Sequence, residues 1–183
     1  VAQQMLQFGN NIGNLFPNEE ALCMASAFMQ DQQTRIVVKK NRYEAQQLYQ
    51  RLKPLINDTL LFVMEESLRV QAIASSPEDK QEQLYVLTQL VKEDKPRIII
   101  CNTAAFLRYL PDIELFKSLC FKFEVDQEIT MAELKQKLNR ACYTKVNYVD
   151  RPCTYASRGG IVDVYCLEYE HPIRIEFFDT VIE

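Results

Sequence analysis

Three short apolar runs constrain this chain more than any other feature: Arg35-Ile36-Val37-Val38-Lys39, Thr59-Leu60-Leu61-Phe62-Val63 and Arg97-Ile98-Ile99-Ile100-Cys101. Each is short for a helix, and its branched or aromatic residues stand side by side rather than alternating. That suits a strand buried on both faces. Helical patterns lie between the runs. Glu19 to Gln30 has good helix formers, acids in its first turn and apolar Leu22, Ala25 and Met29. Asn41 with Glu44 makes a capping-box-like start, after which Ala45, Leu48, Tyr49 and Leu52 repeat at helical spacing up to Pro54. Ser76 is expected to cap a further helix, with Pro77 at its first position and Glu78 and Asp79 at the positive end of the dipole. Thr103 to Leu110 reads as a short helix stopped by Pro111. Strand, helix, strand, helix, strand predicts an α/β layer with a parallel sheet.

Beyond Asp112 the texture changes. Phe121 to Val125 reads as a strand, and Thr130 with Glu133 forms a second capping box, whose helix carries Met131, Leu134, Leu138 and Ala141. Thr144–Val149, Tyr155–Arg158, Ile161–Cys166 and Ile173–Phe178 are strand-like and separated by short polar turns. One helix on several mostly antiparallel strands predicts a small α+β domain. The boundary is expected near residue 116, giving domains at 1–116 and 117–183.

Composition narrows the function classes. A net charge of -4 argues against tight electrostatic capture of nucleic acid by these residues alone. One basic run (Arg35, Lys39, Lys40, Arg42, Arg51 and Lys53 against Glu44) reads as a solvated strand end and helix face. The six cysteines include no C-x-x-C pair, and His171 is the only histidine, so neither a zinc site nor a compact disulfide framework is expected. Reduced thiols predict a cytoplasmic setting. No stretch approaches the roughly 20 apolar residues of a membrane span, and the N-terminus lacks the basic region of a signal peptide. Because residues 181–183 end directly after a strand, the chain is expected to be part of something longer. No G-x-S-x-G elbow or H-E-x-x-H pattern is present, so no catalytic nucleophile or metal ligand set is predicted. Asp163, in mid-strand, is expected to pair with an arginine such as Arg158 or Arg174 rather than act as a base.

A parallel α/β layer also prompts a search for a phosphate loop, G-x-x-x-x-G-K-[ST], whose amides cradle phosphates and whose lysine neutralises them. With Gly13 as the first glycine, Asn18 takes the second glycine's place, Glu19 the lysine's and Glu20 the hydroxyl's. Two carboxylates would then face the phosphates, so ATP binding of the usual kind is not expected.

The last strand-like run carries the clearest binding signal. Side chains alternate with period two, so Ile173, Ile175 and Phe177 share a core face while Arg174, Glu176 and Phe178 share the other. An aromatic among charges fits a small binding surface, since aromatic and arginine side chains dominate interface hot spots. A phenylalanine tucked under a loop at the strand end is the competing reading. Upstream, Arg158-Gly159-Gly160 before Ile161 predicts a turn needing positive φ or close backbone approach.

RGGIVDVY, followed by HPIRIEFFDTVIE, resembles the matching segment of the transcription-repair coupling factors and is similar, less closely, to the excision repair protein UvrB. The resemblance extends through SPEDKQEQLYVLTQL, RIIICNTAAFLRYLP and ITMAELKQKLNRACYTKVNYV. It implies the N-terminal, UvrB-like module: a degenerate P-loop-NTPase-like α/β domain without a nucleotide site, then an α+β domain that binds UvrA, another component of the excision nuclease. UvrB itself has an intact phosphate loop and a long tyrosine-rich hairpin, whereas Asn18, Glu19 and Glu20 depart from the loop and residues 64–75 hold no tyrosine. The resemblance implies a UvrA surface at Arg158, Arg174 and Phe178, with Glu176 on the same face. The further arginine that UvrB carries is replaced by Ala156. It also implies an adaptor without catalysis of its own, masked by a C-terminal domain of the whole protein. RNA polymerase, DNA, ATP and magnesium would be handled by regions outside this chain. The alternatives are a fragment of UvrB that handles DNA and ATP, or a purely structural scaffold.

Overall fold

A computed structural model describes residue 13 and residues 15–65 and 77–183, arranged as two compact units that divide between Tyr109 and Leu110. The expected Ser76 cap and most of the 64–75 connection lie outside the described residues, as do residues 1–12 and 14.

In the first unit, β1 (Arg35–Lys39), β2 (Thr59–Phe62) and β3 (Ile98–Asn102) form a parallel sheet in the order β1-β3-β2. The alternation of β3 divides the core. Ile98 and Ile100 are fully buried on one face, with Ala21, Ala25 and Phe28 of α1 (Pro17–Asp31) and Ala45, Leu48 and Leu52 of α2 (Arg42–Leu52). Ile99 and Cys101 serve the other face, with Phe62, Val86 of α3 (Pro77–Lys92) and Ala105 of α4 (Thr103–Phe106). Burial raises the pKa of the Cys101 thiol, which is the behaviour of a small hydrophobe. Ile36 and Val38 pair in register with Ile99 and Cys101, yet both are exposed, so this second face is covered only in part.

Local chemistry sets the helix ends. The Asn41 side chain accepts from the Glu44 amide, as the capping reading expects. Asn102 caps α4 and brackets residue 64: its Oδ1 accepts from the Met64 amide at 3.1 Å and its Nδ2 donates to the Met64 carbonyl at 2.8 Å. α4 is shorter than the Thr103–Leu110 expectation. The residue before a proline is steered from the α region, and Leu107 already closes the helix.

The second unit contains α5 (Ile113–Leu119), α6 (Met131–Arg140) and the sheet β4 (Thr144–Lys145), β5 (Thr154–Arg158), β6 (Ile161–Tyr165), β7 (Ile173–Phe178) and β8 (Val181–Ile182). Its strands lie in chain order; β4 and β5 are parallel and the other pairs antiparallel. Leu134 and Leu138 of α6 are fully buried against Tyr155, Val162 and Val164, and the Tyr155 hydroxyl donates to Asn139 Oδ1 at 2.9 Å. The Thr130–Glu133 capping box forms as expected. Residue 116 falls within α5, whose cap is Asp112.

Two expectations fail here. Phe121 to Val125 is not a strand: Phe121 and Phe123 still pack into the core, but the chain reaches β8 only after Asp126, at a left-handed φ of 65°, where Asp126 N donates to the Ile182 carbonyl and Ile129 N to that of Thr180. The Thr144–Val149 strand is only two residues long, although Val146 still donates to the Tyr155 carbonyl.

One ion pair of the first unit gives a direct test. Arg42 grips the largely buried Asp79 with two hydrogen bonds of 2.8 and 2.7 Å, which hold the Asp79 carboxyl below the ordinary 3.8. The folded state therefore binds its proton less readily than the unfolded chain, so the stabilisation is complete above that value and is lost as pH falls through the lowered one. Arg42→Ala should destabilise the first unit by about 2 kcal/mol, less than a fully buried pair because Arg42 is partly exposed. Thermal unfolding at neutral pH and near pH 3 would check both the loss and its shrinkage in acid.

Candidate partner-binding site

The burial of α6 against the second sheet determines its other face. Val162 and Val164 point to the core, which turns Ile161, Asp163 and Tyr165 outward on β6. On β7, Ile175 and Phe177 pack inward, while Arg174, Glu176 and Phe178 are exposed. Strand register arranges the outward residues in rows. Arg158, Ile161 and Glu176 form one row across β5, β6 and β7; Ala156, Asp163 and Arg174 form the next. Phe178 follows Glu176 along β7 and pairs with Val181 of β8.

Phe178 is 73% exposed, so it is not tucked under a loop. Arg174 donates from Nε to Asp163 Oδ1 at 2.8 Å and from Nη2 to Oδ2 at 3.2 Å, the strand-carboxylate pairing expected for Asp163. That contact raises the pKa of the guanidinium, with the field of Glu176 adding to it. Arg158 turns the other way, donating from Nη2 to the Asn147 carbonyl at 3.0 Å. Ala156 is buried although its register is outward, so the open part of the face lies over β6 and β7. Charges of both signs thus flank half-buried Ile161, and exposed Phe178 follows Glu176 at the end of β7, so apolar and charged side chains share this face. Ile161 was missing from the sequence-based site. Its signal was present in the alternation of IVDVY, but only the pairing with Glu176 shows that it sits between the charges.

Two turns fix this arrangement. Gly159 has φ 56° at the first central position of the β5–β6 turn, and a Cβ on Gly160 would lie 3.1 Å from the Phe177 carbonyl oxygen. That crowding comes from a real contact: Phe177 N donates to the Gly160 carbonyl at 2.8 Å. Asp179, at φ 56°, opens the β7–β8 turn, where aspartate tolerates the left-handed region.

The first unit places the other predicted group at the start of α1. Gly13 is exposed, and Asn18, Glu19 and Glu20 lie in the first helical turn. Each polar side chain has a structural partner. Asn18 Oδ1 accepts from Arg51 Nε at 3.0 Å, Glu19 accepts from the Phe16 amide at 2.9 Å, and Glu20 pairs with Lys39 Nζ at 2.8 Å. Most of the basic run is engaged in the same way, with Lys39 on Glu20, Arg42 on Asp79, Arg35 on Asp31 and Lys53 on the Asn57 carbonyl. Among the described residues no group of three or more His, Cys, Asp or Glu could hold a metal, and no helix is long and apolar enough to cross a membrane.

Comparison with known proteins places the chain among repair-coupling factors. A family model described as the UvrB interaction domain matches residues 121–183, which include α6 and β4 to β8. The transcription-repair-coupling factor of Bacillus subtilis is 32% identical over 149 residues, covering 80% of this chain and 13% of that protein. Those of Staphylococcus epidermidis and Staphylococcus haemolyticus are each 25% identical over 174 residues, covering 94% of this chain and 15% of theirs. The chain therefore spans only a small part of the length of these relatives.

The glycine turn can be tested directly. Gly159→Ala places a side chain at positive φ and should lower stability by about 1 kcal/mol. A denaturation midpoint below that of the unsubstituted chain would confirm it.

Proposed function

Because this chain is a relative of one stretch of the transcription-repair-coupling factors, with a UvrB interaction domain at residues 121–183, we propose that it is a non-catalytic adaptor segment. It recruits the excision nuclease component UvrA to DNA damage where RNA polymerase has stalled. The contact is made by the outer face of the second sheet, through Arg158, Arg174, Glu176 and Phe178, with Ile161 at its centre. The observation that carries this reading is Phe178: 73% exposed, on the same outward side of β7 as Arg174 and Glu176, a strand whose opposite side is core. An exposed aromatic that shares a strand face with an arginine has the composition of a binding hot spot.

In this reading the first unit is a scaffold that holds no nucleotide. Glu19 and Glu20 stand where a phosphate loop needs a lysine and a hydroxyl, and Glu20 consumes the charge of Lys39. ATP and magnesium, and the contacts with RNA polymerase and DNA, belong to regions beyond these residues. The segment works in the cytoplasm. A C-terminal domain of the whole protein covers the same face until the protein engages, so the UvrA contact and the internal one are mutually exclusive.

Titration of purified UvrA into the chain tests the assignment. Arg174→Ala and Phe178→Ala should each weaken binding by about tenfold or more. Both side chains are exposed, so melting temperatures should stay within about 2 °C of the parent. Unchanged affinity in both variants would remove the site from this face. Calorimetric titration with magnesium-ATP should show no binding, and a saturable heat would overturn the reading of the first unit.

A further inference from the structure

We propose that Asp163 is a positioning residue for this surface: it holds Arg174 so that an acceptor on the partner meets the guanidinium end-on. The inference rests on the assignment of the outer face to UvrA. Asp163 and Arg174 are direct partners in the β6–β7 register, close enough for their side chains to meet across the strands. The carboxylate takes the Nε–H and one Nη2–H through bonds of 2.8 and 3.2 Å. A guanidinium has five N–H donors. The two on Nη1 and the second on Nη2 remain, on a side chain that is 61% exposed.

Fold stability gives little reason for such a pair, because exposed ion pairs contribute almost nothing to it. Binding gives a better one. A free arginine samples many rotamers, and a partner must freeze them on contact; a fork-shaped anchor fixes them in advance. The neighbours leave this anchor intact. Arg158 is turned to the Asn147 carbonyl, and buried Ala156, opposite Asp163 on β5, carries no group that competes for the carboxylate. Glu176 acts on Arg174 through its field while the hydrogen bonds come from Asp163. Arg174 is therefore already neutralised locally. The partner's group must be an acceptor that shares the arginine with Asp163 rather than one that replaces it.

A double-mutant cycle measures this. UvrA is titrated into the unsubstituted chain, Asp163→Ala, Arg174→Ala and the double variant, with Asp163→Asn tested in the same two backgrounds. Asp163→Ala should weaken binding about fivefold when Arg174 is present and less than about twofold when it is absent. Asp163→Asn keeps the shape and one acceptor oxygen and should lie between. Equal losses in both backgrounds, no loss, or tighter binding would overturn the positioning role. If Arg174→Ala binds normally, the positioning role fails; the site assignment fails with it only if Phe178→Ala binds normally too. Melting temperatures identify any variant that has lost its fold, and the isosteric asparagine then carries the cycle.

Discussion

Leu134 and Leu138 seat against Tyr155, Val162 and Val164, and this contact decides which way every side chain of the second sheet points. A helix with one apolar stripe can cover only one face of a sheet. Once α6 has taken that face, the period of two along each strand leaves Ile161, Asp163, Arg174, Glu176 and Phe178 no inward position. The proposed binding surface is therefore a by-product of core formation. It needs no loop rearrangement to assemble, and its residues come from strands whose backbone is fixed by their neighbours. Such rigidity lowers the ordering cost of association.

Much of this was legible in the sequence, for reasons that differ by element. β1 and β7 matched their expected ranges because the clues were local: β-branched runs and strict alternation between clear chain breaks. The capped helices were equally plain, because Asn41 and Thr130 act on amides three residues away. Phe121 to Val125 misled because its aromatics alternate as in a strand, yet they are held by side-chain packing without a ladder. α5 went unrecognised because none of its residues is buried, so it has no core stripe to read. Within the site, the outward direction of Arg174, Glu176 and Phe178 followed from alternation alone. Ile161 required the pairing register, a long-range fact that no single strand contains.

The two units treat charge in opposite ways. In the first, basic residues that look on paper like a track for an anion are tied to Glu20, Asp31 and Asp79, so the apparent positive surface is largely cancelled inside the fold. In the second, Arg174 and Asp163 cancel each other while remaining partly exposed, and three donors stay turned toward solvent. Net charge alone would not distinguish these cases. What separates them is whether paired groups are buried as structure or displayed as a contact.

The glycine turn between β5 and β6 also bears on how such a surface can change over time. Substitutions on the outer face alter one contact each, and selection can adjust them singly. An insertion of one residue between Gly159 and Ile161 would do something different: sliding β6 by one position exchanges its two faces, sending Ile161 and Asp163 inward and Val162 and Val164 out. Length variation is therefore expected to collect in the connection from Cys166 to Pro172, where the strands have already ended. The two-glycine turn is a punctuation mark whose length, more than its chemistry, must be inherited unchanged.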